Sequence, residues 1–105
     1  MLLPHKPTGV HGMTRLCRTD ETITRRGSSH TRHYHDVRAG LFPPPVKTGR
    51  RSVAWPSDEI DALNAARTAG ASDDEIRALV RQLVEARKAK AAAAIAMATA
   101  AQPAA

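Results

Sequence analysis

Most side chains in this sequence that could bind a ligand are cationic, and they are concentrated in two short stretches. The first, HTRHYHDVR at residues 30–38, carries three histidines and two arginines. The second, VKTGRR at residues 46–51, carries three cations on either side of one glycine. Lysine and arginine bind phosphate oxygens, and the arginine fork also matches the two acceptors on the edge of guanine. Both stretches therefore predict contact with a polyanion.

The charge of the chain is unevenly distributed along its 105 residues. Residues 1–56 contain ten lysines or arginines and three acidic residues, a net charge of +7, and they also contain all five histidines. Residues 57–105 contain six basic and seven acidic residues, a net charge of −1. A basic half joined to a balanced half predicts a polyanion-binding surface backed by a structural element. The alternative is that the basic residues only solvate a small protein.

The sequence lacks the features of a secreted, membrane-spanning or catalytic protein. Cys17 is the single cysteine, which excludes an internal disulfide and fits a reducing compartment. The start, MLLPHKPTGVHG, has prolines and glycines where a signal peptide needs a continuous apolar block, and no apolar run reaches membrane-spanning length. No glycine-rich phosphate loop follows a strand, and no nucleophile lies beside a base. We therefore expect a cytoplasmic protein that is not an enzyme and has no catalytic residues, cofactor, small-molecule substrate or membrane partner.

The histidines raise the alternative of a metal site. His30 and His33 would lie one turn apart on a helix, and Cys17 could supply a sulfur ligand. A closed zinc site needs four ligands at recognisable spacing, and the sequence has no CxxC pair. We therefore expect no metal site. A milder role for the histidines is a pH-dependent affinity for phosphate, because histidine gains charge as pH falls.

Two helices joined by a turn are predicted in the basic half. The first lies within residues 15–26, where the apolar pattern is weak, and Thr19 or Asp20 is its expected N-cap. Gly27 and the two serines after it form the turn.

The second helix is predicted over residues 30–39. Ser29 is its expected N-cap and Gly40 its expected end. Tyr34 and Val37 lie one turn apart, so we expect them to face the core together with the other aromatic residues. The remaining polar side chains are then free to face outward, namely His30, Arg32, His35 and Arg38.

A small β-hairpin is predicted in LFPPPVKTGRRSVAW, residues 41–55. The prolines cannot donate ladder hydrogen bonds, so they form a rigid, extended entry. Gly49 is expected to reverse the chain because glycine tolerates positive φ, and Val46, Val53 and Trp55 are expected to share one face of the strand pair. The cations held at the tip are Lys47, Arg50 and Arg51.

Two further helices are predicted after the hairpin. Ser57 is expected to cap the first and Gly70 to end it, while Ser72 and Glu75 form a capping box for the second. The second helix carries one apolar stripe, which either packs on the domain or pairs with a second copy of the chain. The stripe consists of Ile76, Leu79, Val80, Leu83 and Val84.

The expected fold is mainly α with a small β-hairpin, a winged helix–turn–helix followed by two C-terminal helices. Residues 1–14 are expected to be a disordered lead-in and residues 15–88 the domain, with a helical extension over residues 57–90. Residues 89–105 are an alanine-rich tail that can continue the last helix, because alanine has the highest helix propensity. A helix–turn–helix followed by a two-stranded wing is a compact way to read a DNA duplex.

The run from Gly27 to Ile60 resembles the AlpA-type prophage regulators, small excisionase-like and MerR-like winged helix–turn–helix proteins. The resemblance rests on a glycine turn and serine before a tyrosine-containing helix, then on FP-x-P-V-K, a basic glycine turn and V-x-W. Departures from the family are His33 and Asp36, which stand where it often has aliphatic residues. The matching residues are Gly27, Ser29, Tyr34, Val37, Gly40, Phe42, Pro43, Pro45, Val46, Lys47, Gly49, Val53, Trp55 and Glu59.

Together these observations predict a sequence-specific DNA-binding regulator of prophage or mobile-element type, acting on the nucleoid by operator occupancy or bending. Arg32 is the best candidate for a contact with a base edge, and the hairpin cations are expected to hold phosphates of double-stranded DNA. The alternative is a protein–protein interaction module that uses the amphipathic C-terminal helix. The residues expected at the DNA are Ser29, His30, Arg32, His35, Arg38, Lys47, Arg50 and Arg51.

Overall fold

A computed structural model describes residues 14–101 of the chain, which form four helices and a three-stranded sheet. This order confirms the predicted winged helix–turn–helix with two C-terminal helices. In these residues no helix is both long enough and apolar enough to span a membrane. The elements are β1 (Leu16–Arg18), α1 (Thr19–Arg26), α2 (His30–Ala39), β2 (Val46–Lys47), β3 (Val53–Pro56), α3 (Ser57–Thr68) and α4 (Asp73–Ala101).

The sheet contains a strand that was not predicted. Its order is β1-β3-β2 and both pairings are antiparallel. Cys17 in β1 lies opposite Trp55 in β3, and both side chains are buried. Three residues are too few to show the alternating pattern of a strand, so the sequence did not predict β1. The strand forms because β3 supplies its hydrogen-bond partners.

The register of the hairpin differs from the prediction. Val46 lies opposite Ala54, whereas Val53 lies opposite Lys47. Directly paired residues of antiparallel strands share a face, and neighbours along a strand alternate. Val46 is therefore on the opposite face from Val53 and Trp55, and the predicted common face is wrong.

α1 begins immediately after β1, with Arg18 in the N-cap position. The predicted cap at Thr19 or Asp20 is wrong, because the strand runs directly into the first helical turn. Gly27 ends the helix in the left-handed region, at φ 66°, and its N–H donates to the carbonyl of Thr24. The glycine turn of the sequence prediction is confirmed.

α2 has the predicted ends but a different buried face. Ser29 Oγ accepts a hydrogen bond from the backbone N–H of Arg32 at 3.1 Å, and Gly40 ends the helix at φ 78°. His33 and Asp36 are buried, while Tyr34 is 41% exposed. The predicted core position of Tyr34 is wrong, because polar residues on this helix find partners that permit their burial.

The apolar core lies between the sheet, α3 and α4. Phe42 and Trp55 are buried as predicted, and the indole N–H of Trp55 donates to the carbonyl of Pro43 at 2.8 Å. This bond satisfies a buried donor and fixes the proline segment against the core. The core residues are Cys17, Leu41, Phe42, Trp55, Ile60, Leu63, Ile76 and Val80.

The C-terminal helices begin in two different ways. Pro56 is the N-cap of α3, so the predicted cap at Ser57 is wrong. Ser57 instead bonds to the residue before β1, since its hydroxyl accepts from the N–H of Arg15 at 3.0 Å. The capping box of α4 is confirmed: the N–H of Ser72 donates to Glu75 Oε1 at 2.8 Å, and the N–H of Glu75 donates to Ser72 Oγ at 3.2 Å.

α4 uses its apolar stripe against its own domain. Ile76 and Val80 are buried in the core, and Leu79, Leu83 and Val84 are partly buried against it. The helix then continues without interruption through the alanine-rich segment to residue 101. All but the last residue of the expected lead-in, and the last four residues of the tail, lie outside the described residues.

Candidate nucleic-acid interface

The outward face of α2 carries the predicted polar side chains. His30, Arg32, His35 and Arg38 are all exposed, as the sequence led us to expect. Because His33 and Asp36 define the buried face, Thr31 and Tyr34 also lie at the surface, and neither was predicted there. The exposed face is therefore polar along the whole helix and mixes hydrogen-bond donors, acceptors and one aromatic ring.

A buried ion pair joins α2 to α1. Arg26 Nη2 donates to Asp36 Oδ2 at 2.5 Å, and both side chains are almost fully buried. The Arg26 guanidinium also lies 4.3 Å from the ring centroid of Phe42. Burial alone would raise the pKa of Asp36, but the hydrogen bond and charge of Arg26 outweigh it and hold that pKa below its usual value. Asp36 is therefore ionised at neutral pH.

His33 is the third member of this polar cluster. Arg26 Nη1 lies 3.0 Å from His33 Nδ1, and because a guanidinium can only donate, Nδ1 accepts and the imidazole proton sits on Nε2. Burial, aided by the positive charge of Arg26, lowers the pKa of His33 to about 4. The ring is neutral at physiological pH, and its Nε2 has no hydrogen-bond partner among the described residues.

His33 also ties α2 to the hairpin. Its ring meets Trp55 edge-on, with 4.7 Å between centroids, and Phe42 at 5.3 Å. Trp55 belongs to β3, so these edge-to-face contacts fix the orientation of α2 relative to the sheet. The two elements predicted to contact DNA are thus held against each other by a buried residue that the sequence pattern did not place in the core.

The wing consists of β2, β3 and the intervening residues 48–52. The N–H of Thr48 donates to the carbonyl of Ser52 at 2.9 Å and closes the loop. Gly49 does not have a positive φ, so the prediction that a glycine is present here to allow that conformation is wrong. Lys47, Arg50 and Arg51 are exposed, and within the part of the chain that the structure describes none of them forms an ion pair.

Arg18 is an exposed cation near the wing that sequence reasoning missed. It lies opposite Ala54 of β3, and a recess of about 210 Å³ is lined by residues 18–20 and 51–53. The recess brings Arg18 and Arg51 to the same surface although 33 positions separate them. No local pattern could reveal this, because the pairing of β1 with β3 creates it.

The start of α2 borders the same surface. His30 Nε2 lies 3.6 Å from Asp20 Oδ1, and Asp20 also lines the recess with Arg51. The beginnings of α1 and α2 and the base of the wing are therefore neighbours. A ligand that covers the wing reaches the N-terminus of α2, where backbone N–H groups and the helix dipole favour an anion.

A second and larger recess has a different electrostatic character. It has a volume of about 500 Å³ and lies between the C-terminal parts of α1 and α3. Three of its lining arginines already have acidic partners: Arg26 with Asp36, Arg25 with Asp61 at 3.7 Å, and Arg67 with Asp73 at 3.5 Å. The cations of the wing lack such partners in the described residues, so the wing is the stronger candidate for binding phosphate.

The described residues contain no group of three or more His, Cys, Asp or Glu side chains placed to hold a metal ion. Cys17 lies in the core strand β1, and burial raises the pKa of its thiol. A protonated, buried thiol is an inert core residue rather than a ligand or nucleophile.

Comparisons with known proteins give one family and one relative. The family described as "Prophage CP4-57 regulatory protein (AlpA)" matches residues 15–68. The chain is also 39% identical over 56 residues to "Uncharacterized protein ORF88" of Enterobacteria phage P4, a match that covers 53% of this chain and 64% of the phage protein. No solved structure matches the chain significantly. The family match ends with α3, so α4 lies beyond the shared region.

Proposed function

Because the chain belongs to the AlpA family of prophage regulatory proteins, we propose that it regulates transcription by binding double-stranded DNA at a specific sequence. The observation that carries the proposal is the surface formed by the exposed face of α2 and the unpaired cations of the wing. A helix–turn–helix protein places its second helix in the major groove, while an adjacent wing contacts the backbone. Such a regulator acts on the nucleoid, so we also propose a cytoplasmic location.

In this proposal the two parts of the surface have different tasks. The exposed residues of α2 read base edges, with Arg32 matching the acceptors of guanine. His30, His35 and Arg38 contact bases or phosphates beside it, and the N-terminus of α2 at Ser29 faces a phosphate. The cations that hold the backbone without reading sequence are Arg18, Lys47, Arg50 and Arg51.

The regulator acts by occupying or bending its operator, without a cofactor and without covalent chemistry. The groups on the proposed surface are mainly cations, hydroxyls and imidazoles, with the exposed carboxylate of Asp20 beside His30, and they suit recognition. The main acidic partner near α2, Asp36, is buried and already bound by Arg26. This arrangement suits a binding surface rather than a reaction centre.

The α4 stripe gives the second candidate function, which is association with another copy of the chain. Leu79, Leu83 and Val84 are only partly buried and retain area for a partner, whereas Ile76 and Val80 are used by the core. A homodimer would place two copies of α2 on a repeated half-site. Sedimentation equilibrium of the full chain, with and without DNA, tests this part separately.

The experiment that tests DNA binding is fluorescence anisotropy with random duplex DNA at several salt concentrations. The wild type is compared with the wing variant R50A/R51A and with R81A/K88A, which removes the same charge from exposed positions on α4. Each neutralised phosphate contributes about −0.9 to the slope of log affinity against log salt. We expect the wing variant to have a slope shallower by about 2 and the α4 variant to keep the wild-type slope.

Two outcomes would contradict the proposal. Absence of binding by the wild type at low salt removes its central claim. Equal slopes for the two variants would mean that net charge, and not the wing, attracts the DNA.

A further inference from the structure

Asp36 is buried, yet its carboxylate is contacted by three basic side chains. Its Oδ2 binds Arg26, as described above. Its Oδ1 lies 3.1 Å from Arg32 Nε in an ion pair and 3.4 Å from His35 Nδ1. Arg26 holds the carboxylate from the interior, while Arg32 and His35 approach it from the exposed side of α2, where their side chains are 60% and 57% exposed.

The atom of Arg32 that Asp36 engages matters chemically. A guanidinium has one Nε–H and two terminal amino groups, and Nε is the atom that forms the ion pair with Asp36. The terminal amino groups remain available for a second partner. They form the fork that donates to the O6 and N7 atoms of guanine in the major groove.

We propose that Asp36 is a positioning residue, which holds Arg32 so that its two terminal amino groups donate to a guanine edge. The inference rests on the proposed DNA-binding function and adds to it the residue that prepares the contact. Asp36 itself cannot swing away, because it is buried and bound by Arg26 from α1. Through Arg26 and Asp36, the packing of α1 against α2 therefore limits the orientations that the side chain of Arg32 takes at the surface.

The physical benefit is that Arg32 is oriented before DNA arrives. A free arginine side chain loses rotamer freedom when it binds, and that loss opposes association. An arginine already held through Nε loses less and presents its fork in one direction. Lysine cannot replace it, because the three donors of an ammonium group share one nitrogen and cannot form a planar fork that matches the guanine edge while one of them binds Asp36.

The test is selection of duplexes from a random pool by the full chain, followed by sequencing, for the wild type, R32K and D36N. R81A is the matched control, because Arg81 is an exposed arginine on α4, outside the proposed DNA-binding surface. Circular dichroism of each variant at the selection temperature checks that it is folded.

We expect the wild type to select a motif with one guanine position that depends on Arg32. R32K should bind random duplex DNA within about threefold of the wild type but lose most of its preference at that position, on the order of tenfold. D36N should weaken the same preference, whereas R81A should leave it intact. The inference is overturned if R32K or folded D36N retains the full preference for that guanine.

A measurement on the wild type covers the case in which D36N does not fold. In ¹⁵N spectra of the free protein, the Nε–H of Arg32 should exchange with solvent more slowly than that of Arg38. Equal exchange of the two groups overturns the inference. Failure of the wild type to select any motif is a different result, because it overturns the proposed function and this inference together.

Discussion

The interior between α1 and α2 is built from charges and hydrogen bonds, whereas the interior beneath α3 and α4 is mainly apolar and contains one ion pair, between the buried Glu59 and Arg87. In the first region Arg26 bonds both His33 and Asp36, while Nε2 of His33 has no hydrogen-bond partner among the described residues. In the second, Ile60 and Ile76 pack with their neighbours around Trp55. Burial of apolar area is non-directional and mainly stabilises the fold, while a buried ion pair fixes the direction in which its partners point.

The position of the polar region gives this difference a functional meaning. It lies directly beneath the exposed face of α2, where direction decides which atoms a ligand meets. The apolar region lies beneath the wing and α4, where filling the interior with apolar contacts is sufficient to stabilise the fold. His33 and Asp36 are polar residues on the buried face of α2, and Arg26 contacts both of them. The three residues therefore have to be understood as one unit.

The largest expected effect tests whether the polar region acts as such a unit. The variant R26M leaves the Asp36 carboxylate buried without its main partner, and we expect a loss of about 4 kcal/mol in the free energy of unfolding. The double variant R26M/D36L removes both charges and should recover most of that loss. Urea denaturation followed by circular dichroism measures both.

The control is R25M at the neighbouring position. Arg25 is exposed and its acidic partners lie 3.7 Å away, so this change should cost less than about 1 kcal/mol. If R26M is as stable as R25M, the ion pair does not hold the two helices together and the comparison fails.

The second effect measures the apolar region. I76A removes three carbons from a fully buried side chain and should cost about 3 kcal/mol through lost burial and the cavity that remains. I95A makes the same change on the same helix at a site that is 66% exposed, and it should change stability by less than about 0.5 kcal/mol. Similar losses for the two variants would mean that α4 does not pack on the domain through its stripe.

The smallest of the three effects is a dependence of the free energy of unfolding on pH, which only the polar region should produce. The pKa of His33 is lowered from 6.5 to about 4 in the folded protein, so the unfolded chain binds this proton more tightly. Stability is therefore complete above pH 6.5 and falls as pH decreases toward 4. Between pH 7 and pH 5 we expect a loss on the order of 2 kcal/mol.

The variant H33L assigns this dependence to one residue. Asp36 does not act in the same pH range. The pKa of Asp36 is held below its ordinary value, so the stability that this group contributes is lost only below about pH 3.8. We expect H33L to be less stable than the wild type at pH 7, because Arg26 loses a partner, but to change less between pH 7 and pH 5. A wild type with equal stability at both pH values would contradict the burial of a neutral His33.

Much of the fold was predictable because its signals are local. The ends of α2 follow from Ser29 and Gly40, which act on the turns beside them. The start of α4 follows from Ser72 and Glu75, which satisfy each other's backbone groups. The exposed cations of the wing were predicted because a hairpin tip is exposed wherever the domain places it.

The candidate site was predicted less completely, because helical periodicity assumes that apolar residues face inward. By that rule Tyr34 and Val37 belonged to the core, and His33 and Asp36 did not. Burial of the polar pair depends on Arg26, and a sequence pattern does not reveal that a side chain from the preceding helix will satisfy both. Arg18 was missed for a related reason, since its neighbour Arg51 comes close only through strand pairing.

The sequence by itself thus determined the four helices and the hairpin, the two ends of α2, the start of α4 and the two basic stretches, all of which depend on residues within a turn or two of one another. Only the tertiary structure decided the strand β1, the buried face of α2 and the surroundings of Arg32. Those features need partners that are distant in sequence: Trp55 for Cys17, and Arg26 for His33 and Asp36. A polar side chain can enter the interior only when such partners are already in place, and the whole fold brings them there.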